Sequence, residues 1–208
     1  NYQAVLSEND SRQFKGQVNL IGANGLSIIS DIDDTIKHSE VTNRRNLLKH
    51  TFYLDFTAVS GMTDLYANLL AEGGSLHFVS SSPWQLYPPL LEFIENAGFP
   101  TADYALKSFR FKDSSLTNLF ASSLETKPTQ IIEIIHRYPS RQFILVGDSG
   151  EKDPEVYANI QQQFPHQIQQ IWIRNVTSET ADNERFQKIF RDLKPGQWQL
   201  FDAADQLQ

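Results

Sequence analysis

The chain has 208 residues, of which 40% are apolar and 21% are charged, and its net charge at pH 7 is −7. This composition is that of an ordinary globular protein with enough apolar residues to bury a core. The negative charge, without any basic run, argues against nucleic acid as a substrate or partner. No apolar stretch is long enough to span a bilayer, and the absence of cysteine excludes disulfides and thiolate metal sites.

The first residue is Asn1 rather than methionine. We therefore expect residues upstream of it, either a cleaved export signal or a further N-terminal domain. The sequence leaves the compartment open, and we expect a soluble protein that is at most peripheral to a membrane.

The first predicted strand, residues 26–30, ends in two carboxylates. Asp31 and Asp33 follow it two residues apart. Side chains of an extended chain alternate, so these two are expected on the same side. Two like charges this close repel unless a cation or a shared proton relieves them, and oxygen ligands suit Mg²⁺. The segment therefore indicates a metal-assisted active site. The alternative is an acidic loop, since aspartate is common in turns.

A helical pattern over residues 63–71 leads into a second apolar strand at 75–80. This strand ends in the hydroxyls of Ser80 and Ser81. By themselves they are equally well explained as serines that end a buried strand.

A helix over residues 88–97 and a strand over 103–106 come next. Lys127 then precedes Pro128, and proline is typical of the first position of a helix. A lysine at a helix start is normally a solvated surface charge, so the position alone does not indicate chemistry.

The apolar run 142–147 ends in Gly-Asp and predicts a strand followed by Asp148. Asp153 begins an Asp-Pro-Glu sequence, which is typical of a helix start with Asp153 as the N-cap. A strand over 169–173 and a helix over 181–192 complete the pattern.

Alternating strands and helices of this kind predict a Rossmann-like α/β fold of three layers, with a central parallel sheet of about five strands. Ligands of such sheets bind beyond the carboxyl ends of the strands, where Asp31, Ser80 and Asp148 fall. No internal repeat or linker divides the sequence. We therefore expect one domain over residues 1–208, with residues 176–208 as a C-terminal helical extension.

The motifs resemble those of known phosphatases. Asp-x-Asp-x-Thr at Asp31, then Ser80, Lys127 and Gly-Asp-x-x-x-x-Asp at Gly147 come in the order of the four motifs of the haloacid dehalogenase-like phosphatases. Around the motifs, the chain looks like the catalytic domain of the actin-patch-type phosphatidate phosphatases, over about residues 12–175. The segments that carry this resemblance are 29–37, 79–87 and 147–157. It implies the haloacid dehalogenase fold and Mg²⁺ as cofactor.

The resemblance also implies a role for each aspartate. Asp31 would be the nucleophile that forms an aspartyl phosphate, and Asp33 would be the general acid and base. Spacing alone does not choose between these two residues. Mg²⁺ would be held by Asp31, by Asp148 and by Asp33 through its main-chain carbonyl.

The remaining motif residues would handle the phosphate. Ser80 and Ser81 would bind phosphoryl oxygens, and Lys127 would neutralise the phosphate and keep Asp31 charged. Asp153 would orient metal-bound water without binding the metal itself.

For several other residues, the sequence is compatible either with a functional role or with a role in packing or at the surface. Asp34 is either an extra carboxylate of the first motif or a turn residue, and we expect Trp84 to pack against the fold. The basic residues that could contact substrate, or else be surface charges, are Lys37, Lys107, Arg110, Lys112 and Arg174.

Two segments bear on the size of the substrate. Residues 36–60 and 107–126 are too short for a cap domain, so we expect an open site that admits bulky or membrane-embedded substrates. The aromatic side chains in these segments, which would contact lipid or pack onto the core, are Phe52, Tyr53, Phe56, Phe109, Phe111 and Phe120.

The expected function is therefore that of a Mg²⁺-dependent phosphomonoester hydrolase acting on phosphatidate or a related lipid phosphate at a membrane surface. Two alternatives stay open at this point. One is a phosphatase of proteins or soluble phosphomonoesters, and the other is a catalytically silent phosphate-binding or interaction module.

Overall fold

The computed structural model describes residues 2–5, 9–16, 18–38, 56–108 and 123–207. An all-parallel sheet of six strands in the order β6-β5-β4-β1-β2-β3 lies at its centre. The strands are β1 Asn24–Ser30, β2 Ser75–Pro83, β3 Ala102–Lys107, β4 Ser140–Asp148, β5 Ile168–Arg174 and β6 Trp198–Phe201. The chain runs from β1 to one edge, returns to β4 on the other side of β1, and then runs to the opposite edge.

Helices cover both faces of this sheet. They are α1 Met62–Leu70, α2 Tyr87–Asn96, α3 Ser123–Arg137, α4 Asp153–Gln163 and α5 Glu184–Ile189. Successive side chains of β1 point to opposite faces: Ile28 packs in the core with α1 and α2, whereas Ile29 packs in the core with α3, α4 and α5. The predicted three-layer α/β fold is confirmed.

Arg141 anchors the beginning of β1 against β4. Its buried guanidinium donates hydrogen bonds to the carbonyls of Gly22 and Asn24 at 2.8 and 2.6 Å, and to Ser27 Oγ at 2.8 Å. The other ends of β1 and β4 carry the acidic residues Asp31 and Asp148. The Arg141 anchor therefore sets the register of the two strands on which the candidate site depends.

The structure differs from the sequence predictions at the sheet edge. Residues 176–208 were expected to be helical, but they contain β6 as well as the short helix α5. The strand was missed because it has only four residues, and its half-buried pattern is too short to show a period.

Helix α3 also begins earlier than predicted, at Ser123 instead of Pro128. Proline inside a helix removes one backbone donor, and here the helix continues through it. The assumption that proline marks the first helical position was therefore wrong.

A two-stranded hairpin follows the first motif, where Lys37–His38 pairs with Thr57–Ala58. Residues 39–55 and 109–122 lie outside the described part of the chain, and the predicted aromatic and basic contacts there lie outside it as well: Phe52, Tyr53, Phe109, Arg110, Phe111, Lys112 and Phe120. The described ranges contain no cap domain. None of their helices has the length and apolar character required to cross a membrane.

Candidate active site

The acidic motifs meet where the strand order reverses, between β1 and β4. Ser30 pairs with Val146 in the sheet, and the N–H of Asp31 donates to the carbonyl of Val146 at 2.9 Å. Asp148 ends β4 only two residues later. Because parallel strands end at the same edge of a sheet, Asp31 and Asp148 come together in the crevice where α/β folds bind ligands.

Asp31 is buried, with an exposed fraction of 2%. Its Oδ1 accepts from Lys127 Nζ at 3.0 Å, and its Oδ2 accepts from Thr35 Oγ1 at 3.3 Å. Burial raises the pKa of Asp31 well above its usual value; Lys127 opposes this rise, and Asp153 adds to it. The carboxylate is thus held firmly in a place where a further positive charge would favour its ionised form.

Lys127 reaches this site from α3 and is also buried. Its Nζ lies 2.5 Å from Asp153 Oδ1, 3.0 Å from Asp31 Oδ1 and 3.8 Å from Glu151 Oε2. Burial lowers the pKa of Lys127, but Asp153 and Asp31 outweigh burial and raise the pKa well above its usual value. The lysine therefore stays protonated, and it is buried beside Asp31 instead of being the solvated helix-start charge that was the alternative.

Asp148 has one satisfied and one unsatisfied oxygen. Oδ1 accepts from the N–H groups of Gly150 at 2.7 Å and Glu151 at 3.0 Å. Oδ2 is buried and has no hydrogen-bond partner in the described part of the chain. Burial, Asp153 and Glu151 raise the pKa of Asp148 to about 8. An orphaned carboxylate oxygen of this kind indicates that a ligand completes the site.

Asp153 does not act as the N-cap that its sequence predicts. Helix α4 begins at Asp153 itself, and Lys152 occupies the N-cap position. The Asp153 side chain instead points into the site, where Oδ1 accepts from Lys127 and Oδ2 accepts from the N–H of Asp148 at 3.2 Å. Both oxygens therefore hold other site residues in place.

The acidic cluster fits a divalent cation. One carboxylate oxygen each from Asp31, Asp148 and Asp153 lie within 4.8 Å of one another. Glu151 adds a fourth acid near the single ammonium of Lys127. The donors are all oxygens, as hard cations such as Mg²⁺ prefer, and Asp148 contributes a carboxylate that has one unsatisfied oxygen.

Asp33 contacts different side chains from those that contact Asp31. Lys37 Nζ is 2.6 Å from Asp33 Oδ1, and Ser82 Oγ donates to Asp33 Oδ2 at 3.0 Å. Burial raises the pKa of Asp33, but Lys37 and Ser82 outweigh burial, so the pKa is below its usual value. Strand β1 ends at Ser30, so the alternation assumed for Asp31 and Asp33 does not extend to them.

Lys37 is not a surface charge. Its side chain is 7% exposed, and its ammonium lies between the Asp33 carboxylate and the ring of Phe56, 4.2 Å from the ring centroid. Asp34 follows with a φ of 56°, a left-handed conformation that aspartate tolerates. The turn directs the chain from the first motif into the hairpin.

Three serines follow the apolar part of β2, and Ser82 contacts Asp33. Ser80 is buried, and its Oγ accepts from the N–H of Ser82 at 3.0 Å. Ser81 Oγ is buried and has no partner within the residues that the structure describes. Its free hydroxyl makes Ser81 a second place where a bound ligand would satisfy an orphaned polar atom.

Several contacts were missed by sequence reasoning. Thr35, Ser82 and Glu151 lie inside the motifs and could have been found as additional polar residues there. Arg174 was interpreted as a surface charge, yet it is half-buried and donates to the carbonyl of Asp34 at 2.7 Å. Trp84 was expected to be packed against the fold, but 43% of it is exposed.

Residues 26–175 match the model of the family described as phosphatidate phosphatase APP1, catalytic domain. The chain belongs to this family. The resemblance to actin-patch-type phosphatidate phosphatases, deduced from the motifs, is thereby confirmed.

Two curated proteins illustrate the relationship. Phosphatidate phosphatase APP1 of Saccharomyces cerevisiae is 36% identical over 168 residues, which cover 79% of this chain and 28% of that protein. An uncharacterized protein of Schizosaccharomyces pombe is 32% identical over 186 residues, which cover 85% of this chain and 30% of that protein. The chain thus spans less than a third of the length of these relatives.

A solved structure was also matched, a class C acid phosphatase from Bacillus anthracis with tungstate bound. The match has 13% sequence identity and a TM-score of 0.43, and it covers 69% of this chain and 65% of that chain.

Proposed function

We propose that the chain is a Mg²⁺-dependent phosphomonoester hydrolase that forms an aspartyl phosphate on Asp31 and acts on phosphatidate or a related lipid phosphate. The observation that carries the proposal is the buried cluster of Asp31, Lys127, Asp148 and Asp153 at the strand-order reversal, in a chain that belongs to the phosphatidate phosphatase family.

Asp31 is suited to be the nucleophile because Lys127 and Thr35 each hold one of its oxygens, which fixes the direction of the carboxylate. One Asp31 oxygen would form a bond to phosphorus while the bond from phosphorus to the leaving alkoxide breaks. Lys127 would neutralise the phosphoryl oxygens, and the hydroxyls of Ser80 and Ser81 would bind them.

Asp33 would donate its proton to the leaving alkoxide. It would then take a proton from the water that attacks phosphorus, and the bond between Asp31 and phosphorus would break to release inorganic phosphate. Since Lys37 keeps the pKa of Asp33 low in the substrate-free site, the acid role requires that the negative charge of the substrate raises that pKa on binding.

Asp31, Asp148 and the main-chain carbonyl of Asp33 are the groups proposed to hold Mg²⁺. When bound, the cation supplies positive charge that lets an anionic substrate approach the acidic cluster. Asp153 contributes by holding Lys127 and the N–H of Asp148 in position.

The lipid substrate rests on family membership, since the matching model is that of a phosphatidate phosphatase catalytic domain. A substrate of this kind is held in a bilayer, so the protein would work at a membrane surface. A phosphatase of proteins or soluble phosphomonoesters is the alternative within the same chemistry.

The reaction is tested with a generic aryl phosphate, with Mg²⁺ or with excess chelator. We expect turnover only with Mg²⁺ and none for Asp31→Asn, which removes the nucleophile at nearly constant volume. The matched control is Asp192→Asn, whose side chain is 58% exposed after α5. Turnover by Asp31→Asn near the wild-type rate would contradict the nucleophile assignment, and absence of turnover in the wild type would favour a catalytically silent module.

The substrate class is tested by comparing kcat/KM for phosphatidate in mixed micelles, glycerol 3-phosphate and a phosphopeptide. The chemistry at phosphorus is the same in all three, so any preference must come from contacts beyond the phosphate. We expect phosphatidate to be favoured. Equal kcat/KM values for the three substrates would be consistent with a phosphatase but would contradict the assignment of a lipid substrate.

A further inference from the structure

A cavity of about 900 Å³ opens along the β3 edge of the sheet, and no residue of the acidic cluster lines it. It is lined by α2 and the turn before it, by β3 and by residues near the N-terminus of the chain. Nothing in the proposed phosphatase chemistry uses this cavity.

Three aromatic rings line the cavity in succession. The centroids of Trp84 and Tyr87 are 5.5 Å apart with the rings inclined by 52°, and those of Tyr87 and Tyr104 are 5.2 Å apart with an inclination of 80°. Rings at such angles form a corner instead of a flat stack. Trp84 is 43% exposed, which leaves much of its indole surface accessible to a ligand.

The charge of the cavity is negative. Glu95 and Asp103 line it, and none of its described lining residues is a lysine, arginine or histidine. Asp103 already has a partner in His77, 3.5 Å away. Glu95 is exposed, and it lies close enough to Tyr104 to add to the rise in the pKa of that hydroxyl caused by burial and by Tyr87.

We propose that this cavity is a binding site for a quaternary ammonium group such as that of choline, with Trp84, Tyr87 and Tyr104 as its aromatic walls and Glu95 as its counter-charge. Aromatic faces attract cations within about 6 Å of the ring centroid, and tryptophan attracts them best. The methyl groups of a quaternary ammonium bury well against aromatic rings and require no hydrogen-bond acceptors. A small hydrated metal ion would instead need several convergent oxygens, and the described acidic cluster of that kind lies elsewhere, at Asp31.

The site also lies near the proposed catalytic groups along the chain. Ser82 donates a hydrogen bond to Asp33, and Trp84 is two residues after Ser82. The α-carbons of Ser82 and Trp84 are therefore no more than about 7.6 Å apart. A choline group could come from a lipid head group beside the substrate or from a free small molecule, and both present the same cation.

The test is a titration of the whole chain with choline chloride, followed by calorimetry and by ligand-observed NMR of the choline methyl protons. The uncharged isostere 3,3-dimethylbutan-1-ol has the same shape without the charge. We expect choline to bind and the isostere to fail. Equal binding of both would overturn the proposal, because the site would then be merely apolar, and so would absence of choline binding.

Variants then locate the site. Trp84→Leu should weaken choline binding roughly 2- to 30-fold, the range expected from losing one cation–π contact. Glu95→Gln should weaken it as well, whereas Glu92→Gln, an exposed glutamate on the same helix that does not line the cavity, should leave it unchanged. Unaltered binding in both Trp84→Leu and Glu95→Gln, with thermal melts that show both variants folded, would overturn the assignment.

The source of the cation is decided by vesicle co-sedimentation. Vesicles of phosphatidylcholine, compared with vesicles of phosphatidylethanolamine and phosphatidylglycerol, distinguish a lipid head group from free choline. Retention on phosphatidylcholine that is lost in Glu95→Gln supports the site as a lipid contact. Choline binding without such retention supports the site with a soluble ligand. Both experiments measure binding, so their results do not depend on whether the protein has phosphatase activity.

Discussion

Replacing Asp148 by asparagine should stabilise the metal-free protein. Asp148 is buried, its Oδ2 has no partner in the described part of the chain, and the carboxylates of Asp31 and Asp153 lie beside it. Asparagine keeps the oxygen that accepts from the N–H groups of Gly150 and Glu151, and it offers an N–H₂ donor in place of the orphaned oxygen. The substitution therefore places a permanently neutral side chain at this site at nearly constant volume, so folding no longer requires the uptake of a proton.

The magnitude follows from linkage. The pKa of Asp148 is raised from 3.8 to about 8, so between these values the folded chain holds a proton that the unfolded chain releases. Stability of the wild type therefore falls as pH rises through this window, by about 1.4 kcal/mol for each pH unit. The cost is on the order of 2 kcal/mol at pH 5 and 4 kcal/mol at pH 7, and Asp148→Asn should recover most of it.

The assay is urea denaturation in excess chelator at pH 5 and pH 7. The stability advantage of Asp148→Asn should grow between the two pH values, and added Mg²⁺ should stabilise the wild type more than the variant. The matched comparison is Asp153→Asn, which removes a partner of buried Lys127 and should destabilise the protein by about 1–3 kcal/mol. A variant Asp148→Asn that is less stable than the wild type at both pH values would refute the reasoning.

Three further predictions concern activity. Asp33→Asn should lower kcat by about 10²- to 10⁴-fold, the usual loss when a general acid and base is removed; a mild effect, with Asp34→Asn severe instead, would assign the role to the other carboxylate. Activity should require Mg²⁺ and be inhibited by Ca²⁺, because Ca²⁺ takes more ligands at longer distances, and full activity in chelator would contradict this. Lys127→Met should abolish turnover and destabilise the fold by about 3–5 kcal/mol, since it leaves buried carboxylates unpaired, whereas the exposed Lys152→Met serves as the control and should be neutral.

The location of the site could be predicted from the sequence because it depends on chain order alone. Apolar runs that each end in acids or serines must bring those residues to one edge of a parallel sheet. This is why Asp31 and Asp148 lie close together, and predicting it required no knowledge of side-chain contacts.

The contacts within the site could not be predicted in the same way. The contact of Lys37 depends on packing in the hairpin, so Lys37 looked like a surface charge in the sequence although it is buried. Lys127 was expected beside Asp31 only from the order of the motifs, because its position near a helix start alone suggests a solvated charge. Asp153 has an N-cap sequence, but its side chain is drawn to Lys127 instead. Tertiary contacts outweighed local preferences at each of these positions.

The missed strand β6 has a similar cause. Its residues Trp198–Phe201 pair with β5 over four positions, and this pairing rather than any period in the sequence makes them a strand. Trp84 is the opposite case, because it was expected to pack against the fold, yet it contacts Tyr87 while 43% of it stays exposed.

The central claim, that Asp31 carries the phosphoryl group, is tested most directly by trapping. Asp33→Asn is mixed with substrate and Mg²⁺, quenched in acid and reduced with borohydride, which converts an aspartyl phosphate to homoserine. Mass spectrometry of the peptide that contains Asp31 should then find homoserine at position 31 and unmodified aspartate at position 34. Homoserine at another position, or aspartate at position 31 while substrate is still being consumed, would contradict the account.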